Sequence, residues 1–167
     1  MRLSLAWPFF NDFSIRSPQG AYHTNGIFGL EASWEVFYKK DRYISLSAGA
    51  ATSNAPVDRF GKGYIQSADN LYASIRANRV IGSFDIGYGI SLSEPVWVQH
   101  TLGDTVNLDR SFKNTALGLS LSAQYRLGNY FRMGVLYQPG ILSANLSPAL
   151  HYQHYISVSF IWKLPLK

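Results

Sequence analysis

Most of this 167-residue chain alternates bulky apolar residues with small polar ones, and the alternation recurs in eight segments. The segment from Leu117 to Leu127 shows the pattern. Leu117, Leu119, Leu121, Ala123, Tyr125 and Leu127 are interleaved with Gly118, Ser120, Ser122, Gln124 and Arg126. Successive side chains of a strand point to opposite faces, so such a run has one greasy face and one small, polar face. In a water-soluble sheet the bulky face would pack into a core. Here the small polar set suits a narrow barrel interior and the bulky set suits lipid. The expected fold is all-β: a transmembrane antiparallel up-and-down β-barrel of eight strands. At 167 residues there is room for one core, so residues 1–167 read as a single domain.

The pattern places strands at 1–10, 26–39, 43–54, 65–79, 82–95, 112–127, 131–143 and 150–164. Ten or so residues suffice for a tilted strand to cross a bilayer. The apolar sets include Leu3, Leu5, Trp7 and Phe9 in the first, and Ile44, Leu46, Ala48 and Ala50 in the third. In the fifth they are Phe84, Ile86, Tyr88, Ile90 and Leu92. Tight turns at Lys40-Asp41-Arg42, Arg79-Val80-Ile81-Gly82 and Gly128-Asn129-Tyr130 alternate with longer links at 11–25, 55–64, 96–111 and 144–149. Pro18, Pro56, Pro95, Pro139 and Pro148 fall in or beside those links, where no ladder hydrogen bond is lost. Short turns on one rim and long loops on the other predict a bacterial outer-membrane location with short turns and both termini periplasmic.

Composition agrees with that reading. Charged residues make up 15% of the chain, below the roughly 25% usual for soluble domains. Aromatic residues, also 15%, are abundant. No run approaches the roughly 20 apolar residues of a membrane helix. There are no cysteines, which removes disulfides, thiolate catalysis and cysteine metal sites. The net charge of +5 forms no run or helical stripe. Outer-membrane lipid and lipopolysaccharide phosphates therefore fit better as partners than nucleic acid. The opening residues Met1–Trp7 lack the cleavage signal of a secretory leader, so a mature or trimmed sequence is expected.

Two sets of residues stand out. The inward charges Arg2, Glu31, Glu35, Arg76, Asp85, Arg126, Arg132 and Lys163 are expected to form a lumen network. Hairpin parity sets Arg76 against Asp85 and Arg126 against Arg132, with an acid such as Glu35 between the two arginines. Such charges read first as a plug in a lumen only just wide enough for side chains, and second as an ion path. Inward Gly87, Gly89, Gly118 and Gly134 would leave space for the arginines. The outer aromatics Trp7, Trp34, Tyr38, Trp97, Tyr125, Tyr130 and Trp162 are expected to form interfacial belts.

None of His23, His100, His151 and His154 has metal-ligand spacing, so no metal, cofactor or catalytic residue is assigned. A soluble barrel around an apolar ligand is the third-ranked alternative; it would leave many Trp, Leu and Ile in water.

The whole chain resembles the small eight-stranded outer-membrane barrels of the OmpA and OmpX type. The amphipathic closing segment Tyr155-Ile156-Ser157-Val158-Ser159-Phe160-Ile161-Trp162 is similar to their last strand. The tail Lys163-Leu164-Pro165-Leu166-Lys167 after it resembles barrels of the Bacteroidetes type. The resemblance is architectural and implies a non-enzymatic integral outer-membrane protein, structural or an accessory subunit alongside other outer-membrane proteins. A lipid A-modifying hydrolase is the alternative, because His23-Thr24-Asn25 resembles the His-x-Ser-Asn of the lipid A deacylases, with Thr24 in place of the serine.

Overall fold

The computed structural model describes residues 1–17, 20–53, 64–101, 110–145 and 150–166. Its strand segments are β1 (Arg2–Ser17), β2 (Gly20–Gly26), β3 (Phe28–Lys39), β4 (Arg42–Thr52), β5 (Tyr64–Ile81), β6 (Phe84–Thr101), β7 (Arg110–Lys113), β8 (Ala116–Arg126), β9 (Phe131–Ser143) and β10 (Leu150–Pro165). Every pairing is antiparallel. The β10–β1 pairing closes the sheet on itself. Segments β2 and β3 both pair with β1, and β7 and β8 both pair with β6. Each such couple fills one position of the ring, which therefore has eight. Closure leaves no free edge to template aggregation.

Two expected boundaries move. The first strand continues past residue 10 to Ser17, and the 11–25 link is an ordered hairpin whose arms run Asn11↔Gly26 to Ser17↔Gly20. The cause is a β-bulge between Pro8 and Phe10. An extra residue in one strand reverses the facing of everything beyond it. Phe10 turns outward, while Asn11, Phe13 and Ile15 turn in and are buried. The fixed alternation of the first ten residues therefore stops, although the backbone ladder does not. Likewise β6 runs to Thr101 rather than 95. Residues 55–63, 102–109 and 146–149 of the expected links lie outside the described residues.

A third shift concerns register. The turn after β5 is Gly82-Ser83, with Gly82 at φ +60°. A tight hairpin needs positive φ there, which glycine adopts without a Cβ penalty. Strand β5 thus persists to Ile81, opposite Phe84. Arg76 then faces Gly89 rather than Asp85, and Asp85 faces Val80.

The outer face carries the bulky set. Trp34, Leu46, Ile75, Tyr88, Ile90, Leu92, Leu119, Met133 and Phe160 are all exposed. The inner face is buried and mostly polar, from Ser4 and Ser33 through Ser74, Ser91 and Ser120 to Ser157. At the end away from the termini the interior turns apolar: Phe13, Ile15, Ala51, Ala68, Tyr72, Trp97, Leu136 and Tyr155 pack together, with Tyr22 and Phe112 against them. The barrel is inside-out at one end and oil-filled at the other.

Candidate functional site

The interior charges are brought in by four different hairpins, and they sort into three groups. In the first, Glu35 on β3 sits between two cations. Arg2 donates through Nε to Glu35 Oε2 at 2.5 Å, and Lys163 donates through Nζ to Oε1. Ser4 adds a bond to Oε1 at 3.1 Å. Register makes this possible. Arg2 lies directly across from Glu35 on one side, and Ser4 lies directly across from Lys163 on the other. The Arg2 guanidinium also stacks over Phe37 and Tyr43, at 4.9 and 5.3 Å from their ring centres.

In the second group Arg132 on β9 pairs with Asp85 on β6 at 2.6 Å, both side chains almost fully buried. The Tyr43 hydroxyl donates to Asp85 from 3.4 Å. In the third, Arg76 on β5 donates to Glu31 Oε1 at 2.9 Å and to Ser47 Oγ at 2.6 Å. Tyr72 donates to Glu31 Oε2 at 2.8 Å, and Ser33 to Oε1 at 3.0 Å. Each buried carboxylate thus has an opposite charge and at least one neutral donor beside it, which is what makes burial tolerable.

Four expectations from the sequence need correction. Arg76 does not meet Asp85; its acid is Glu31, reached across β4, because the Gly82-Ser83 turn sets a different register. The acid beside Arg132 is Asp85, not Glu35, which is committed to Arg2 and Lys163. Arg126 does stand opposite Arg132, but it is exposed at the rim and outside the lumen. The inward glycines do not make room for arginines. A Cβ on Gly89 would fall 1.8 Å from the Ile75 carbonyl oxygen, and one on Gly118 would fall 2.0 Å from that of Pro139. Those two admit close approach of the neighbouring strand's backbone, while Gly87 makes room for Asn78 and Ser122, and Gly134 for Ile161 and Gln124.

The aromatics divide too. Trp7, Trp34, Tyr38, Tyr125, Tyr130 and Trp162 are exposed on the outside. Trp97 is not. It is 1% exposed, inside the barrel, stacked on Tyr22 at 3.9 Å. Because β6 continues past residue 95, Trp97 keeps the inward parity of Asp85, and a loop residue becomes a core residue.

The histidine motif fares differently. His23 and Thr24 are neighbours on strand β2, so they point to opposite faces: His23 is exposed and Thr24 is buried. They cannot act on one substrate. His23 instead lies near His154, with ring centres 6.3 Å apart, and His154 contacts Asp12 at 3.3 Å through Nε2. Ser14 stands across from both histidines, but Nδ1 of His154 is buried without a hydrogen-bond partner, so no relay reaches the serine. Among the described residues no group of His, Asp or Glu is arranged to hold a metal ion.

Packing inside the barrel is tight. The cavity beside Glu31, Arg76, Ser122 and Gln124 has a volume of about 20 Å³, and so has the one lined by Asn70, Gln138 and Gln153. Each is room for about one water molecule. Tyr72 and Tyr155, with ring centres 5.4 Å apart, stand in the buried cluster with Phe13 and Trp97.

No protein-family model matches the chain, and no curated protein sequence does. Solved structures do. The crystal structure of Ail, the attachment invasion locus protein of Yersinia pestis, aligns over 98% of both chains with a TM-score of 0.64 at 8% identity. A second Ail structure, in complex with the heparin analogue sucrose octasulfate, aligns over 98% of both chains with a TM-score of 0.59 at 12% identity. Neisserial surface protein A aligns over 99% of this chain and 97% of its own, with a TM-score of 0.55 at 12% identity. At such identities the likeness establishes the fold: a small, eight-position, up-and-down antiparallel barrel.

Proposed function

We propose that this chain is an integral, non-enzymatic β-barrel of a bacterial outer membrane, with its short turns and termini on the periplasmic side. One observation carries the reading: the bulky side chains are on the wrong side for water. Leu30, Leu46, Leu71, Tyr88, Ile90 and Leu92 form part of a continuous exposed apolar wall, while carboxylates and guanidinium groups are inside. A soluble protein rarely exposes more than a few hundred Å² of contiguous apolar surface, and such a wall is what hydrocarbon requires. The exposed Trp and Tyr residues would then sit at headgroup depth.

The charge network acts as a plug that locks the strands together from within. In this reading the barrel works as a rigid scaffold in lipid and lipopolysaccharide, with its loop end available to other outer-membrane proteins, as an accessory or structural subunit. Support for the plug comes from the paired charges and from cavities no larger than a water molecule.

The test is folding. Refolded with detergent, the chain should give a compact species whose gel mobility changes on boiling. Without detergent it should aggregate. A stable monomer in plain buffer would refute the membrane reading.

A further inference from the structure

At the turn end of β3 and β4 the apolar wall gives way to a row of cations that runs on to β5. Lys39 lies directly across from Arg42, and Arg42 directly across from Arg79, on β3, β4 and β5. Cross-strand partners share a face. Arg42 and Arg79 have the same parity as Ile44 and Ala77, two residues further into the outer wall, so the row faces outward. Lys40 in the intervening turn is exposed beside it.

Like charges directly opposite one another destabilise a sheet. The acid beside them is Asp41, which approaches the Nε edges of Arg42 and Arg79 only at 3.9 and 3.8 Å. Those distances exceed a hydrogen bond. The site is nevertheless built rather than loose: the Val80 N–H donates to the Asp41 carbonyl at 2.8 Å and pins the β3–β4 turn to the end of β5.

Just above the row stands the line Val36, Ile44, Ala77, Tyr88 across four strands. Ala77 is a notch between two larger exposed neighbours, Ile44 and Tyr88. Two residues along a strand span about 7 Å. Arg42, with Lys39 across from it, thus sits about that far below Ile44, at the depth of a phosphate below its acyl chains. Arg79 reaches the same headgroup from among apolar neighbours, with Ile86 directly across and Ile81 and Phe84 nearer the rim.

We propose that Lys39, Arg42 and Arg79 form a binding site for the phosphodiester headgroup of an anionic phospholipid in the leaflet at the turn end, with the glycerol region over Ala77. The proposal rests on the membrane reading above. Arginine suits it, because its guanidinium fork matches phosphate oxygens two at a time. A free phosphate shares the headgroup chemistry but has nothing to gain from the apolar line above.

Native mass spectrometry of the detergent-refolded barrel tests this, with phosphatidylglycerol, phosphatidylcholine of the same chains and inorganic phosphate as probes. Phosphatidylglycerol should be retained in preference to phosphatidylcholine. Arg42→Gln with Arg79→Gln should weaken that retention about thirtyfold, and Arg79→Gln alone about fivefold, from the roughly equal contribution of each basic residue at a membrane surface. Arg126→Gln removes an exposed cation at the same end but outside the row and should leave retention unchanged. Equal retention of the two lipids, an equal loss in Arg126→Gln, or displacement by millimolar inorganic phosphate would overturn the site. Those results leave the barrel's need for detergent intact, so they are distinguishable from failure of the membrane reading, which shows as a wild-type chain soluble without detergent.

Discussion

Asp85 and Arg76 show what a single residue can and cannot reveal in a sequence. Both face inward, as alternation says, yet they are not partners. Facing depends only on parity, which survives a shift of register by an even number of residues. Pairing depends on the turn, and Gly82-Ser83 was not distinguishable from its neighbours as the turning point. Glu35 illustrates the same limit: its inward side was legible, but its two cations come from opposite ends of the chain, Arg2 and Lys163. A double-mutant cycle in detergent-refolded protein separates the registers. Asp85→Ala should cost about 3–5 kcal/mol by stranding Arg132 in the lumen. Its coupling to Arg132→Ala should reach about 1–3 kcal/mol, while its coupling to Arg76→Ala should stay within about 0.5 kcal/mol, because Arg76 is held by Glu31. Strong coupling between positions 76 and 85 in urea midpoints would contradict the register.

Strands were legible where alternation ran unbroken and illegible where it reversed. The stretch Leu117–Tyr125 reads correctly residue by residue, with Leu117, Leu119, Leu121 and Tyr125 outside and Ser120, Ser122 and Gln124 inside. The stretch Asn11–Ser17 reads as loop, because the bulge after Pro8 places apolar Phe13 and Ile15 inside and polar Asp12 and Arg16 outside. Trp97 is the same lesson on β6: a tryptophan beyond an apparent strand end reads as a surface residue by type, whereas its strand's parity puts it in the core. The unbroken strand offers the clean test. Leu119→Arg puts a charge on the outer wall and should cost about 2–4 kcal/mol near the middle of a bilayer. Ser120→Ala, one residue on, removes a buried hydroxyl that makes no hydrogen bond and should be neutral or slightly stabilising. Refolding yields into lipid vesicles compare them; a Leu119→Arg barrel that inserts as well as wild type would show that β8 faces the other way.

Across the whole molecule, ring closure was the most legible property and internal sealing the least. Eight alternating segments imply a barrel through arithmetic alone, but whether its lumen conducts depends on side chains meeting from strands distant in sequence. Here they meet in two different ways. At the turn end Glu35, Asp85 and Glu31 each hold a cation across the lumen. At the other end Phe13, Trp97, Tyr72 and Tyr155 replace charge with close-packed rings. An ion crossing the barrel would have to break buried ion pairs and then pass a close-packed aromatic layer, and each step is costly in a low-dielectric interior. Planar-bilayer recordings should therefore show little steady conductance from the wild-type chain. Trp97→Ala, which removes the largest of those rings, should destabilise the barrel by about 3–5 kcal/mol. It should still leave the bilayer closed, because the charged layer remains intact. Only a variant in which both layers are weakened, such as Trp97→Ala combined with Glu35→Ala and Lys163→Ala, should begin to leak. Large, stable, ion-selective currents from the wild type would show that ions find a route past both layers, and the lumen would have to be described as a channel.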